Sequence, residues 1–145
     1  EPYLIEYNVR MGDPECQTIL PRLKTDFYEI LEACMTNKLN TINIEWYQDK
    51  SICVVLCSKG YPDEFKNEIE IKNLNKINLK SNEFIFHAGT KSINNQILSN
   101  GGRVLNFVIR SKELKEGRKE IFKLIDQLDW GNGFFRKDIG YRVID

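Results

Sequence analysis

The 145-residue sequence lacks long hydrophobic runs and a net charge. Its longest apolar runs hold only a few residues, as at 53–57, so no segment predicts a helix that spans a membrane. Lys and Arg number 21, and so do Asp and Glu. This balance argues against a partner that is held mainly by bulk charge, such as a nucleic acid or an anionic membrane.

Cysteine and histidine are also few. No pair among Cys16, Cys34, Cys53 and Cys57 has the spacing of zinc ligands, and His87 is the single histidine of the sequence. Cys53 and Cys57 share a face of a predicted strand, but roughly 13 Å separates them along it, which is too far for a disulfide. We therefore expect reduced thiols and a cytoplasmic protein.

The composition, with 41% hydrophobic and 29% charged residues, is typical of a globular chain with a core. The first pattern in it is an alternation over residues 3–11. One face carries the apolar side chains, and the other carries polar ones, namely Glu6, Asn8 and Arg10. This period of two predicts a strand with one buried and one polar face.

A helical pattern follows the alternating segment. Asp13 is the predicted N-cap, Pro14 suits the first turn, and Glu15 favours the positive end of the helix. Apolar residues then recur at spacings of three and four as far as residue 34. Because Pro21 lies inside this pattern, we expect it to kink or divide the helix.

The remainder predicts a mostly antiparallel sheet with one packed helix. The predicted strands are residues 51–58, 68–71 and 83–87, a strand-turn-strand unit formed by 97–98 and 103–109, and a final strand or hook within 134–144. The predicted helix covers residues 114–128. Taken with the first segment, the fold class is α+β.

The polar face of the first strand is a candidate site. Residues two apart on a strand lie about 7 Å apart and point the same way. The carboxylate of Glu6 and the amide oxygen of Asn8 could therefore bind one hard cation such as Mg²⁺. Arg10 offers a planar fork for a phosphate or carboxylate. The alternative is that these side chains simply form the wet face of a half-buried strand.

Longer strings carry more information than this spacing. Residues 6–15 read EYNVRMGDPE, and five further blocks follow in order: LPRLK at 20–24, GYP at 60–62, FHAGTK at 86–91, GGRVL at 101–105 and RKDIGYR at 136–142. Together they resemble the C-terminal portion of the phosphoribosylamine–glycine ligase (glycinamide ribonucleotide synthetase) family, whose members contain an ATP-grasp domain. The resemblance extends from one end of the chain to the other.

The resemblance implies a domain organisation. Residues 1–39 would be the C-terminal end of the ATP-grasp domain, with the metal-binding strand and helix. Residues 40–145 would form the small C-terminal α+β domain of the ligase. This portion would pack against the N-terminal and ATP-grasp domains of the same enzyme, and alone it would be inactive.

The resemblance also implies a reaction. Family members join glycine to 5-phosphoribosylamine with ATP, through glycyl phosphate, in purine biosynthesis. Glu6 and Asn8 match the ligands of Mg²⁺ or Mn²⁺, and Arg10 matches the arginine to which we assign neutralisation of the transferring phosphoryl group. Asp13 and Glu15 would shape the substrate end of the site. The alternatives are another ATP-grasp ligase or carboxylase, and a non-catalytic α+β binding module.

Overall fold

The computed structural model describes residues 2–5, 7 and 9–144. The fold is α+β, as the sequence predicts. Its helices are α1 (Glu15–Ile19), α2 (Phe27–Met35), α3 (Leu114–Ile125) and α4 (Tyr141–Ile144). Its strands are β1 (Lys50–Ser58), β2 (Glu83–His87), β3 (Thr90–Ile93), β4 (Gln96–Ser99), β5 (Arg103–Ser111) and β6 (Gly133–Phe134).

Four of the strands form one antiparallel sheet in the order β2-β5-β1-β6, and β3 and β4 form a separate hairpin. Strand β5 lies between β1 and β2, so its backbone is paired on both sides. Helix α3 covers one face of the sheet. The other face, which includes Cys53, is turned towards α1.

The core lies between the sheet and α3. Its innermost residues come from alternate positions of β1 and β5 and from the apolar stripe of α3: Val54, Leu56, Leu105, Phe107, Ile109 and Ile121, all at most 3% exposed. Gly117 lets the helix approach the strand closely, because a Cβ there would lie 3.1 Å from Cγ2 of Ile52. The amphipathic pattern of 114–128 predicts this packing.

The predicted strand at residues 3–11 is wrong for the part of it that the structure describes. Residues 2–5, 7 and 9 have no regular secondary structure, and the apolar side chains meant for a buried face are exposed. A strand is stabilised by hydrogen bonds to a neighbouring strand, and none of the described strands pairs with this segment. Glu6 and Asn8 lie outside the described residues.

The helix prediction for residues 13–34 is confirmed in its division and wrong in its cap. Pro21 lies in a 3-10 turn, Leu20–Arg22, which separates α1 from α2. Pro14 occupies the N-cap position of α1, and no side chain caps that helix. The carboxylate of Asp13 is instead hydrogen-bonded to side chains elsewhere, so it does not bind the backbone amides of the first turn.

The strand-turn-strand prediction near residue 100 is also wrong in its pairing. Strand β4 pairs with β3, while β5 pairs with β1 and β2. The hairpin turn lies instead at Asn94 and Asn95, which both have positive φ, a conformation that asparagine tolerates better than most residues. The predicted strand 68–71 is reduced to one bridge, between Glu70 and Leu98.

Candidate functional site

The predicted site residues that the structure describes, Arg10, Asp13 and Glu15, lie in the turn before α1 and at the first residue of that helix. Arg10 is exposed, and its Nη1 donates a hydrogen bond to the carbonyl oxygen of Met11 at 3.0 Å. The backbone N–H of Gly12 donates to Oε2 of Glu15 at 2.9 Å. The carboxylate of Glu15 therefore closes the turn on itself.

Asp13 is engaged through three of its oxygen atoms. Its Oδ1 accepts a hydrogen bond from Nε2 of Gln17 at 2.7 Å. Its Oδ2 lies 3.2 Å from Nη2 of Arg103, and its carbonyl oxygen accepts from Nη1 of the same guanidinium at 3.2 Å. Arg103 thus binds both the side chain and the backbone of Asp13.

Three glycines, Gly89, Gly101 and Gly102, let further sequence blocks approach one another closely beside Arg103. We call these three residues the glycine corner. A Cβ on Gly89 would lie 2.5 Å from the carbonyl oxygen of Arg103, and one on Gly102 would lie 2.0 Å from the ring of Tyr61. The buried hydroxyl of Ser58 donates to the carbonyl oxygen of Gly101 at 2.9 Å. Only residues without a side chain fit where these segments touch.

Histidine and lysine of the FHAGTK block have local partners. Nδ1 of His87 lies 2.8 Å from Oγ1 of Thr90, so the ring is held within its own turn. Lys91 pairs with Glu68, and this pairing lowers the pKa of the Glu68 carboxyl. These contacts fit structural roles for both side chains.

A cleft of about 570 Å³ lies beside Arg103. Pro14, Tyr61, Phe134 and Arg136 are among its lining residues, so four of the six sequence blocks or their neighbours meet there. Its walls are mainly apolar, and the charges lie on the two guanidinium groups. Each of these is paired with a carboxylate, Arg103 with Asp13 and Arg136 with Asp138.

Two thiols lie on the floor of this cleft. Burial raises the pKa of Cys53 to about 12, against the opposing effect of a hydrogen bond with Thr18, and the negative charge of Asp13 raises it further. Burial also raises the pKa of Cys57, although the nearby Arg103 opposes the shift. Both thiols are therefore protonated near neutral pH, which makes them poor nucleophiles and poor metal ligands.

The sequence does not predict the contact between Asp13 and Arg103, because 90 residues separate them. The available signal was the opposite charge of two side chains in two blocks of the same family.

The structure also buries Asn106 completely and Arg110 to 9% exposure. The guanidinium of Arg110 lies 3.6 Å over the ring of Tyr47.

The described residues contain no group of three His, Cys, Asp or Glu side chains that could hold a metal ion. In the same part of the chain no helix is long and apolar enough to cross a membrane. The predicted metal ligands, Glu6 and Asn8, are outside what the structure describes, and their role stays a prediction.

A family profile described as "Phosphoribosylglycinamide synthetase, C domain" matches residues 51–142 of this chain. The chain belongs to this family. The resemblance found in the six sequence blocks is therefore confirmed. The matched range includes nearly all of β1 and the whole of β5 and α3, so the packed sheet and helix lie in the part of the chain that matches this C domain.

Named relatives agree with this family. The chain is 41% identical to a phosphoribosylamine–glycine ligase of Caldanaerobacter subterraneus over 95% of its own length and 32% of the relative's. It is also 41% identical to one from Agrobacterium fabrum, over 99% and 33%. A crystal structure of phosphoribosylamine–glycine ligase from Thermotoga maritima matches with a TM-score of 0.67 and 28% identity, over 95% of this chain and 33% of that one. The chain thus spans about a third of the length of these relatives.

Proposed function

We propose that this chain is the C-terminal portion of an ATP-dependent ligase that joins glycine to 5-phosphoribosylamine. The products are glycinamide ribonucleotide, ADP and phosphate, and the setting is purine biosynthesis in the cytoplasm. The observation that carries the proposal is the match to relatives named phosphoribosylamine–glycine ligase along nearly the whole chain.

The reaction has two steps. A carboxylate oxygen of glycine attacks the γ-phosphorus of ATP, the bond to the bridging oxygen of ADP breaks, and glycyl phosphate forms. The amine of phosphoribosylamine then attacks the carbonyl carbon of glycyl phosphate. The bond between that carbon and the phosphate oxygen breaks, phosphate leaves with its electron pair, and the nitrogen loses a proton. The first step needs positive charge around the phosphates more than it needs a protein acid or base.

Glu6 and Asn8 are the proposed ligands of Mg²⁺ or Mn²⁺. A carboxylate and an amide oxygen are hard donors that suit either ion, and such an ion would neutralise the phosphates of ATP. Burial raises the pKa of the Cys53 and Cys57 thiols, which line the cleft beside this turn, so these two would not compete for the ion. Arg10, four residues after Glu6, is proposed to neutralise the phosphoryl group in transfer.

Asp13 and Glu15 are proposed to shape the substrate end of the site. Asp13 is bound to Arg103 and Gln17, and Glu15 is bound to the backbone of Gly12. These contacts support a role in holding the backbone of the turn in one conformation. Because that turn directly follows Arg10, its conformation decides where the arginine is presented.

The segment before the turn is proposed to pack against the rest of the enzyme. Its described apolar side chains are exposed to between 68% and 95%: Tyr3, Leu4, Ile5, Tyr7 and Val9. Contiguous exposed apolar surface is a mark of sites where another part of a protein packs. We infer that the N-terminal and ATP-grasp domains cover it, and that this portion alone is inactive.

The test is a substitution in the full-length enzyme. Glu6→Gln removes one charged ligand, and we expect the rate of glycinamide ribonucleotide formation to fall on the order of a thousandfold. Glu116→Gln is the matched control, because Glu116 is exposed on α3 and has no proposed role. Steady-state kinetics with both substrates measures the effect.

Three outcomes would contradict the proposal. Wild-type kinetics of the Glu6→Gln variant would remove the metal assignment. A wild-type enzyme that ignores phosphoribosylamine but couples glycine or another acid to a different amine would belong to another ATP-grasp activity. An enzyme that neither consumes ATP nor forms a bond would be a binding module.

A further inference from the structure

Strand β1 is paired along nearly its whole length on one side only, the side of β5. On the other side β6 pairs with Cys57 and Ser58, and none of the described strands pairs with residues 50–56. The chain leaves this side of β1 after β6, where the ring of Phe135 packs against Phe122 of α3 with 5.1 Å between the ring centres. Most of the outer edge of β1 is therefore open.

Alternate backbone groups of β1 point to this outer edge. The N–H of Ser58 donates to the carbonyl oxygen of Gly102 at 2.8 Å, so the backbone of Ser58 is directed to the β5 side. The bulge in the pairing places its extra residue in β5, which leaves the alternation of β1 undisturbed. The N–H and C=O groups that face outwards therefore belong to Ser51, Cys53 and Val55. We call these three residues the open edge.

The cleft beside Arg103 runs along the open edge. Its lining includes Cys53, Val54 and Val55, and the side chains of consecutive strand residues point to opposite faces of the sheet. A cavity that touches three consecutive residues therefore lies along the backbone edge of the strand rather than over one face of the sheet.

The cleft has an apolar wall on each side of the open edge. Pro14, at the start of α1, lies on the side of the sheet that α1 covers. Phe135 and Ile139 lie on the other side, where they pack against the core. The two guanidinium groups that line the cleft are paired with carboxylates. The cleft therefore favours an uncharged occupant.

This arrangement fits one extended peptide segment. Such a segment could pair its backbone with the open edge and place alternate side chains against the two walls. A second copy of this chain fits poorly, because the same walls flank its own edge and would meet before the two edges came within about 4.8 Å. Residues 51–56 also contain no charged residue or proline, the residues that keep an exposed edge from pairing.

The remainder of the enzyme is the favoured source of this segment. The chain spans about a third of the length of its relatives, so about two-thirds of such an enzyme lies outside it. Pro14 follows the segment before α1, whose described apolar side chains are exposed and are proposed to pack against that remainder. The cleft therefore continues a surface that is directed to the same partner.

We propose that one extended segment of the ligase, from the part outside this chain, adds to the sheet as a strand at the open edge of β1. The inference rests on the proposed function, since that function makes this chain a portion of a longer enzyme. The segment lies in line with β6 and carries uncharged side chains on both faces. It joins the sheet to the rest of the enzyme through backbone hydrogen bonds.

Amide hydrogen exchange tests this pairing in the full-length enzyme without any substitution. The amides of Ile52 and Val54 point to β5 and are the control within the same strand. We expect the amides of Cys53 and Val55 to exchange within about tenfold of the control, because both sets are hydrogen-bonded. Faster exchange than this, which an edge open to water predicts, would overturn the inference.

Photo-cross-linking identifies the segment. In the full-length enzyme p-benzoylphenylalanine replaces Phe134, which lines the cleft and is 36% exposed. After irradiation, mass spectrometry identifies the peptide that is joined to it. We expect a peptide from the part of the enzyme outside this chain. The same replacement at Tyr28, which is 68% exposed on α2, is the control and should not capture that peptide.

Three results of the cross-linking would contradict the inference. A product with residues 2–49 would mean that this chain fills its own cleft. A product of two complete enzymes would identify a second copy as the occupant, and no product would mean that no segment lies in the cleft. If the Phe134 variant does not fold, the exchange measurement on the wild type decides.

The inference and the proposed function fail in different ways. If the enzyme forms glycinamide ribonucleotide but the amides of Cys53 and Val55 exchange faster than the tenfold limit, the added strand is wrong and the ligase assignment stands. If these amides are protected and the cross-link forms, but the enzyme makes no glycinamide ribonucleotide, the added strand stands and the proposed function is wrong.

Discussion

Residues 2–49 and residues 50–144 differ in how far their periodic apolar side chains are exposed. In the first region Tyr3, Ile5 and Val9 are between 82% and 95% exposed. In the second, Phe107 and Ile109 are at most 2% exposed, between the sheet and α3. Both regions contain runs of alternating or periodic apolar residues, so the difference comes from the presence or absence of a partner surface.

This comparison shows that a hydrophobic pattern identifies the apolar face of an element but not the element that packs against that face. Strand β1 finds β5 and α3 within this chain. The segment before α1 finds no strand among the described elements, and we infer that its partners belong to the rest of the enzyme. Matched substitutions can test this difference directly.

The largest effect is expected from removing the same side chain in each region. Ile109→Ala leaves a cavity in the core and should lower the free energy of unfolding by about 2–5 kcal/mol. Ile5→Ala removes a side chain that is 95% exposed and should change it by less than about 0.5 kcal/mol. Denaturant unfolding of this chain, followed by circular dichroism, measures both values.

The same pair in the full-length enzyme sharpens the comparison. If the preceding domains cover Ile5, Ile5→Ala should become destabilising there, while Ile109→Ala keeps its cost. A neutral Ile5→Ala in the full-length enzyme would show that this side chain stays in water. The inferred packing of the segment would then be wrong.

A smaller effect is expected at the glycine corner of the second region. A Cβ on Gly89 would lie 2.5 Å from a backbone oxygen and 3.0 Å from Cα of Gly101. Gly89→Ala therefore forces backbone to move, which typically costs about 1–3 kcal/mol. Gly131 has no atom within 4 Å of the corresponding Cβ, so Gly131→Ala should be neutral or slightly stabilising.

Thermal unfolding of the two glycine variants distinguishes these cases. Equal melting temperatures for Gly89→Ala and Gly131→Ala would mean that the corner relaxes freely. The close approach of the FHAGTK and GGRVL blocks would then not constrain the fold. A lower melting temperature for Gly89→Ala alone would show that the close contact between these two blocks constrains the fold.

Much of the fold of the second region could be predicted from local sequence. The apolar run of β1, the strand β2 and the stripe of α3 each carry their own periodicity, and the structure confirms them. The partner of each strand could not be predicted in the same way. Strand β4 pairs with β3 rather than β5 because two asparagines form a turn that the pattern did not reveal.

The candidate site was predictable only as a string of residues. The blocks identify the family, but they do not show that Asp13 meets Arg103 or that Gly89 meets Gly101. Such contacts depend on how the sheet and the turn before α1 are arranged in space. The roles of Glu6 and Asn8 stay predictions, as does the division of the chain into domains at residues 1–39 and 40–145.

The smallest effect concerns Cys53, where α1 of the first region covers β1 of the second. Burial raises the pKa of its thiol from 9.0 to about 12, so between these values the unfolded chain loses a proton that the folded chain keeps. The free energy of unfolding should therefore fall as the pH rises above 9, by up to about 1.4 kcal/mol per pH unit from this group. We expect Cys53→Ala to lose about 1 kcal/mol less stability than the wild type between pH 8 and 10, and Cys34→Ala, at an exposed thiol, to behave as the wild type. Equal pH profiles for all three proteins would mean that α1 does not cover the strand in solution. The hydrogen bond between Thr18 and Cys53 would then not hold the two regions together.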